Sequence, residues 1–321
     1  MALRNTLFMA IWQRSTTIFN MVHSTNVISV SEPIPMIIAA LPAYNEEKHI
    51  AEVILGAAKH VDRVVVVDDG STDRTSAIAH ACGAVVVRHA RNQGYGAAIR
   101  ACFETAKKMH ADVLVTLDSD EQHDPEDIRL LIHALDEGSD IVIGSRFLKD
   151  SGRCIPRYRR FGIRLLTVAT NAVGGTAVSD SQSGFRAYSR KAMSTIEITA
   201  SDMSAGSGIL FQAKKHKLKI SEVPITCRYD VGSTSSQNPV HHGTIVLASI
   251  LRKALHDHPT CIGIAGIAGL LLGAGMLAGN GVAGMSGLPF TLLMLSAVGV
   301  CTGVVLQPIV DAYHESENDD L

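Results

Sequence analysis

The sequence predicts an α/β protein with a Rossmann-like, mostly parallel sheet covered by helices on both faces, followed by a C-terminal two-helix transmembrane hairpin. Short apolar strands alternate with helical stretches from Met36 onward, which is typical of a parallel sheet. The strands are nearly continuous apolar runs, and this indicates that both faces of the sheet are buried. The 52 residues Pro259–Val310 include no Asp, Glu, Lys, Arg or His, and this uncharged run predicts the hairpin.

The elements of the α/β part follow one another regularly. Strands are predicted at 36–41, 63–67, 84–87, 112–117 and 140–143, and helices at 46–59, 71–82, 97–109 and from Pro125. Ser71 is the predicted N-cap of the second helix, because serine favours that position. Two later helices are predicted at 155–171 and 240–256. Ligands of such sheets bind beyond the carboxyl ends of the strands, so we expect the functional site at that edge.

Composition narrows the possible partners and compartments. The chain has 321 residues and a formal net charge of −2, so its overall charge gives no reason to expect a nucleic-acid partner. Apolar residues make up 46% and charged residues 19%, which excludes a wholly disordered chain and favours a membrane part. The six cysteines form no CxxC pair, so they predict neither a zinc site nor a disulfide framework and favour a cytoplasmic setting.

Five segments are expected along the chain. Residues 1–35 are a disordered leader or tail, or sequence upstream of a true start at Met36, and the α/β domain occupies 36–239. A juxtamembrane helix at 240–258, the hairpin at 259–310 and an acidic tail at 311–321 follow. The hairpin is predicted to contain two spans, Cys261–Gly279 and Leu288–Val310. Arg252 and Lys253 precede the first span, which predicts a cytoplasmic face for the α/β domain in a two-span membrane protein.

Acidic residues follow two of the predicted strands. Asp118 and Asp120 are separated by Ser119, so both carboxylates can reach one hard cation and leave its other positions to phosphate oxygens. Gln122 and His123 could complete the shell, whereas the alternative for Asp118 is a polar strand end. In the second cluster, Asp68 or Asp69 could accept hydrogen bonds from a base or a ribose. The alternative is a helix cap with an acid at the helix dipole, which Ser71 and Asp73 could supply alone.

Arginines cluster in the later part of the α/β domain. Arg157, Arg160 and Arg164 share one face of the predicted helix at 155–171, beside an apolar face of Phe161, Leu165 and Val168. This pattern is typical of a basic amphipathic helix at a membrane surface. The arginines could bind a phosphate in a bidentate way, or could only attract anionic lipid headgroups.

Six motifs together resemble the family 2 inverting glycosyltransferases, and within them the branch that makes dolichyl- or polyprenyl-phosphate sugars. The resemblance extends from Met36 to about Asp230. The motifs are PAYNEE at 42–47, VDDGSTD at 67–73, NQGYG at 92–96, DSDEQH at 118–123, GSR at 144–146 and QSGFR at 182–186. One departure is Gly208, near which related sequences often have a glutamate.

The resemblance implies a GT-A fold and a set of site residues. Asp118, Asp120 and Gln122 would hold Mg²⁺ or Mn²⁺ and the diphosphate of a nucleotide sugar, with Ser119 also on the donor side. The nucleotide pocket would be lined by Pro42, Tyr44 and Glu46, and Asp68 or Asp69 would contact the base and ribose. The acceptor phosphate would be bound by arginines, namely Arg146, Arg159, Arg160, Arg164 and Arg186. Asp180 is the best candidate for a general base, and is otherwise a turn acid.

The expected function is the transfer of one sugar from a UDP- or GDP-linked hexose or N-acetylhexosamine to dolichyl or polyprenyl phosphate, with inversion. The product would be a lipid-linked sugar for glycan or protein glycosylation. A glycan or lipid hydroxyl is the alternative acceptor. A sugar nucleotidyltransferase would need a Gly-rich basic loop after the first strand, and Pro42-Ala43-Tyr44-Asn45 is nothing of that kind. A non-catalytic membrane scaffold would not need the metal carboxylates.

Overall fold

The computed structural model describes residues 35–148, 155–200, 202–228, 239–257, 270–271 and 295–298. Within the unit Met36–Leu321, one seven-stranded sheet has the order β3-β2-β1-β4-β6-β5-β7. All neighbouring strands are parallel except β6, which is antiparallel to both β4 and β5. The strands are β1 (Ile37–Ala43), β2 (Arg63–Asp68), β3 (Val85–Arg88), β4 (Val113–Thr116), β5 (Ile141–Ser145), β6 (Arg186–Ser189) and β7 (Ile220–Pro224).

Helices cover the sheet and extend beyond it. They are α1 (Ile50–Ala57), α2 (Thr75–Ala81), α3 (Tyr95–Lys108), α4 (Ile128–Asp136), α5 (Arg157–Gly174), α6 (Arg190–Thr195), α7 (Ala205–Lys215) and α8 (Pro239–Asp257). A single 3₁₀ turn, Pro125–Asp127, precedes α4, and the Asp124 side chain caps it by accepting a hydrogen bond from the Glu126 amide at 3.0 Å. This arrangement matches the helix start that was predicted at Pro125.

Two apolar layers hold the helices against the sheet. Successive strand residues point to opposite faces, so Ile38 and Ala40 join the layer under α3, and Ala39 and Leu41 join the layer under α1. All four residues are fully buried. The predicted α/β fold with helices on both faces of a mostly parallel sheet is therefore confirmed.

The structure corrects the cap predicted at Ser71 and adds elements that were not predicted, among them α6, α7 and β7. Ser71 does not cap α2, which begins only at Thr75, because its hydroxyl accepts a hydrogen bond from the Asn45 amide at 2.9 Å. The short strand β6 was not predicted, and it breaks the parallel order between β4 and β5. Its sequence, Arg-Ala-Tyr-Ser, has no apolar run from which a buried strand could be inferred.

Helices α5 and α8 lie close to the ranges predicted for them and pack on each other through Leu166, Val246 and Ile250. Four other apolar side chains of α5 are exposed and are here called the apolar stripe: Tyr158, Phe161, Leu165 and Val168. Phe161 is 71% exposed and Val168 is 65% exposed. The apolar face predicted for this helix is therefore present and uncovered by any residue that the structure describes.

The predicted hairpin at 259–310 lies outside the described residues, apart from 270–271 and 295–298. The predicted segment 1–35, apart from Pro35, and the predicted tail 311–321 also lie outside them. Among the helices of the described part, none combines the length and the apolar character that crossing a membrane requires.

Candidate active site

The sheet topology places a cavity at one edge of the sheet. From the central strand β1 the chain winds outward through β2 and β3, and it then returns to place β4 on the other side of β1. Such a reversal leaves a crevice at the carboxyl ends of the strands. A cavity of about 780 Å³ opens there, and it is lined by eleven of the predicted site residues. These are Pro42, Tyr44, Glu46, Asp69, Asp118, Ser119, Asp120, Gln122, Arg146, Arg159 and Arg186.

One end of the cavity is acidic, and hydrogen bonds between two loops shape it. The Asn45 amide donates to Ser71 Oγ at 2.9 Å, and the Glu46 amide donates to Thr75 Oγ1 at 2.8 Å. These bonds hold the loop after β1 against the loop after β2. Burial raises the pKa of Glu46 to about 8, and the nearby charges of Asp120, Asp73, Asp118 and Glu121 add to this effect. Negative charge is therefore concentrated at this end.

The aspartates after β4 fit a divalent cation. Burial raises the pKa of Asp120 to about 6, with the Asp118 carboxylate as the next cause, so two carboxylates repel each other in a partly dehydrated space. A cation between them would relieve this repulsion. No three His, Cys, Asp or Glu side chains within the described ranges are grouped closely enough to hold an ion. An ion here would therefore draw its remaining ligands from Gln122 and phosphate oxygens, as Mg²⁺ commonly does.

Neighbouring residues pack closely against the Asp118 carboxylate. A Cβ atom added to Gly184 would lie only 2.7 Å from each carboxylate oxygen of Asp118 and 2.9 Å from Tyr95 Oη. On another side, His123 Nε2 is 3.7 Å from Asp118 Oδ2, and the His123 ring lies against Phe185. His123 is buried and does not line the cavity, so in this structure it packs beside Asp118, and its predicted part in a metal shell stays a prediction.

The two aspartates after β2 have different surroundings. Asp68 is fully buried, and it accepts hydrogen bonds from the Ser71 amide at 2.7 Å and from the Ser76 hydroxyl. It does not line the cavity, so of the two predicted alternatives, Asp68 or Asp69, the geometry favours Asp69 as the contact to a donor. Asp69 does line the cavity, and it fixes the loop before α3 through the amides of Gln93 and Gly94 at 2.9 and 2.8 Å.

Arg146 and Asp180 form a buried ion pair. Nε and Nη2 of Arg146 donate to the Asp180 carboxylate at 2.7 and 2.8 Å, and Asp180 is fully buried. Burial by itself would raise the pKa of Asp180, but the Arg146 guanidinium outweighs it and the pKa is lowered. A carboxylate with a lowered pKa and both oxygens bonded is a poor base, so the structure argues against the predicted role of Asp180.

The remaining arginines separate into those that line the cavity and those that do not. Arg159 and Arg186 line it. Arg186 is buried and donates to the backbone oxygens of Ser183, Gly206 and Ser181, so it also ties β6 to α7. Arg160 extends toward the Ile155 carbonyl, and Arg164 lies over the Phe147 ring at 5.4 Å. Neither lines the cavity, so the geometry gives no support to their predicted role in binding the acceptor, which stays a prediction.

Several cavity residues were missed by sequence reasoning. Tyr95 and Ser183 lie within motifs that were recognised, but their side chains were given no role. Thr244 and Leu247 come from α8, which was predicted only as a connection to the membrane. Because α8 packs on α5, both helices contribute to the cavity wall together with the acidic loops, and no local pattern could have shown this.

The structure shows an α/β protein with a ligand cavity at the carboxyl edge of its sheet, and comparison with known proteins identifies the family. Residues 39–196 match the sequence model of glycosyl transferase family 2. The chain also matches the UDP-N-acetylglucosamine–dolichyl-phosphate N-acetylglucosaminyltransferase of Methanococcus voltae, with 33% identity over 60% of this chain and 86% of that protein. The protein therefore belongs to glycosyl transferase family 2.

Two further similarities agree with this membership. The polyprenol monophosphomannose synthase of Mycolicibacterium smegmatis is 30% identical over 60% of this chain and 78% of its own length. Named relatives of this kind support the branch that the motifs indicated. Glucosyl-3-phosphoglycerate synthase of Mycobacterium tuberculosis, solved with Mn²⁺, UDP-glucose and phosphoglyceric acid, has a TM-score of 0.55 at 24% identity, covering 68% of this chain and 79% of that one. This structural likeness shows a shared fold.

Replacing Gly184 with alanine should lower transferase activity on the order of 10²-fold, because the new methyl group would displace the Asp118 carboxylate and small misplacements in an active site are costly. We expect the half-saturating metal concentration to rise as well. Steady-state kinetics against metal concentration measure both effects. Gly208→Ala is the matched control, since a Cβ there meets no atom within 4 Å. Equal activity of the two variants would contradict the prediction.

Proposed function

We propose that this protein transfers a single sugar from a nucleotide-sugar donor to the phosphate of a polyprenyl or dolichyl lipid at a membrane, with inversion at the sugar carbon. The observation that carries the proposal is the continuity of the cavity, whose lining runs from the acidic loops to Leu165 on the apolar stripe of α5. A polar donor and a lipid acceptor require these two opposite environments in one site.

The acidic end suits the donor. Asp118, Asp120 and Gln122 would hold Mg²⁺ or Mn²⁺, and the ion when bound neutralises negative charge on the departing nucleoside diphosphate. Pro42, Tyr44 and Asp69 line the part of the cavity beside these residues, where a nucleoside would lie. The solved relative that binds Mn²⁺ and UDP-glucose supports this assignment.

The opposite end suits an anionic acceptor. Arg159 lines the cavity from the first turn of α5, and its guanidinium can bind a phosphate in a bidentate way. A phosphomonoester is already ionised at neutral pH, since its second pKa is about 6. The acceptor oxygen therefore needs no strong general base, which agrees with an Asp180 held in its ion pair. A hydroxyl acceptor would need such a base.

The apolar stripe supports a membrane location for the reaction. Exposed apolar side chains on a basic helix are typical of a surface that lies in the lipid interface. Because Tyr158 and Leu165 belong both to this stripe and to the cavity lining, the isoprenoid chain could stay in the bilayer while its phosphate enters the site. The named dolichyl- and polyprenyl-phosphate relatives support the same acceptor class.

The proposal is tested by identifying the product. Full-length protein in vesicles is incubated with labelled UDP-glucose, UDP-N-acetylglucosamine or GDP-mannose plus polyprenyl phosphate, with and without EDTA. We expect a labelled lipid-phosphate sugar of inverted anomeric configuration, formed from one donor and lost with EDTA. Transfer only to a glycan hydroxyl, a retained configuration or full activity in EDTA would each contradict the corresponding part of the proposal.

Replacing Phe161 and Val168 together with serine should lower kcat/KM for long-chain polyprenyl phosphate in vesicles on the order of 10-fold, because two apolar side chains no longer enter the lipid interface. Activity with a short, water-soluble phosphate analogue should stay unchanged. Leu130→Ser is the matched control, since Leu130 is also exposed but lies on α4. An equal loss with both acceptors would show that the stripe does not serve the lipid.

A further inference from the structure

Ser183 has an unusual position in the cavity wall. The residue is only 1% exposed, and its Oγ forms no hydrogen bond with any residue that the structure describes. It nevertheless lines the cavity. Buried hydroxyl groups are nearly always paired, and leaving one unpaired destabilises a protein. A buried hydroxyl without a partner at a cavity wall therefore suggests a partner that arrives with the substrate.

The backbone around Ser183 is fixed on both sides. Its carbonyl oxygen accepts a hydrogen bond from Arg186 Nε at 2.8 Å. The carbonyl oxygen of the next residue, Gly184, accepts one from Thr116 Oγ1 at 2.8 Å. Two strands thus hold the serine in place, through Thr116 at the end of β4 and Arg186 at the start of β6. The backbone of Ser183 is therefore held in place, and the hydroxyl can move only by rotation about the side-chain bonds.

The neighbours of Ser183 indicate which part of the substrate it meets. On one side, Gly184 lies against the Asp118 carboxylate, where the diphosphate is expected. On the other side, Arg186 is bonded to the Gly206 carbonyl of α7, and the cavity continues toward α5 and α8. The transferred sugar has to occupy the space between the diphosphate and the acceptor phosphate. Ser183 borders this intermediate space.

We propose that Ser183 Oγ hydrogen-bonds an oxygen of the sugar that is transferred, either a hydroxyl or the oxygen of an acylamino group. This inference rests on the proposed function and adds to it a residue that binds the sugar. A serine hydroxyl both donates and accepts, so it suits a neutral sugar oxygen. The phosphates at either end are better served by a cation and by guanidinium groups.

Calorimetric titration of the full-length protein in Mn²⁺ tests the inference. Wild type and Ser183→Ala are each titrated with UDP-glucose, UDP-N-acetylglucosamine and GDP-mannose, and with UDP and GDP alone. We expect Ser183→Ala to weaken binding of the accepted nucleotide sugar by about 3- to 10-fold, as the loss of one neutral hydrogen bond does. Binding of the free nucleoside diphosphate should change less than about twofold, because that ligand lacks the sugar.

Ser139→Ala is the matched control. Ser139 lies just before β5 and is buried like Ser183, but it does not line the cavity. Its hydroxyl donates a hydrogen bond to Ser221 Oγ on β7 at 2.9 Å. This variant should unfold at a lower temperature and bind nucleotide sugars like wild type. Ser183→Ala should show the opposite pattern, because in the free protein it removes a hydroxyl that has no partner.

Each other outcome would overturn the inference in a recognisable way. Equal weakening of nucleotide sugar and nucleoside diphosphate would assign Ser183 to the diphosphate or to the fold. Unchanged nucleotide-sugar binding with a raised KM for polyprenyl phosphate would assign it to the acceptor. Unchanged binding and kinetics would show that it binds no substrate. A wild-type protein that binds none of these nucleotides would contradict the proposed function itself, and the inference with it.

Discussion

Replacing Asp120 with asparagine is expected to lower transferase activity by on the order of 10²- to 10³-fold, comparable to the loss of other preorganised charge-stabilising groups. The substitution removes one of the two carboxylates placed to hold the cation. Its amide oxygen can still accept the hydrogen bond that the Gln122 amide donates to Asp120 Oδ1 at 3.1 Å, so the loop should keep its shape. kcat/KM at saturating Mn²⁺, measured for the accepted donor, gives the effect.

The stability of the same variant should change in the opposite direction. Because burial and the Asp118 charge raise the pKa of Asp120, its ionised form is unfavourable in the folded protein without metal. Asp120→Asn should therefore unfold at the same or a higher temperature than wild type in EDTA. Asp136→Asn, on the exposed side of α4, is the control and should change neither quantity. A variant that keeps more than about a tenth of wild-type activity would argue against the metal site and would favour a scaffold.

Replacing Asp180 with asparagine is expected to reduce the free energy of unfolding by about 3–5 kcal/mol, because Arg146 would be left as a buried charge without its carboxylate. The reduction is measured by equilibrium denaturation at neutral pH. Arg190→Gln is a matched control, since it breaks the exposed Arg190–Asp112 ion pair and should cost less than about 1 kcal/mol.

The difference in the free energy of unfolding between wild type and Asp180→Asn should depend on pH with a defined sign. Since the folded-state pKa of Asp180 is lowered, its ionised form stabilises the protein above the ordinary aspartate range near pH 4 and loses this effect as the pH falls below it. The stability gap between wild type and Asp180→Asn should therefore narrow in acid. A variant that is as stable as wild type but inactive would restore the role of general base to Asp180.

The layered fold could be predicted because its determinants are local in the sequence. The valine-rich strand β2 and the apolar runs of β1 and β4 predict a buried sheet. The acidic residues that follow β4 lie at the carboxyl edge of this sheet. The position of Asp118 and Asp120 at the cavity follows from this logic. The strand β6 could not be predicted in the same way, because it contains Arg186, a charged residue that is buried with hydrogen bonds to the carbonyl groups of Ser181, Ser183 and Gly206.

The direction of individual side chains was the least predictable part of the site. Asp68 and Asp69 are adjacent in the sequence, yet Asp68 ends β2 with a buried side chain, whereas Asp69 begins the following loop and lines the cavity. The same applies to Arg159, Arg160 and Arg164, whose positions around α5 place only the first in the cavity wall. Phe147, whose ring lies under the Arg164 guanidinium, is not part of α5, so this contact could not be read from the helix pattern.

The antiparallel strand β6 has a consequence for how the protein folds during its synthesis on the ribosome. It forms ladders with β4 and β5, although about 70 residues separate Thr116 from its partner Arg186. Until β6 has been synthesised, β4 and β5 of the nascent chain each have an edge with unpaired backbone N–H and C=O groups. Such edges can template intermolecular aggregation. Chaperone protection during translation would matter most in this interval. The interval would end when β6 pairs with both strands and Arg186 links β6 to α7.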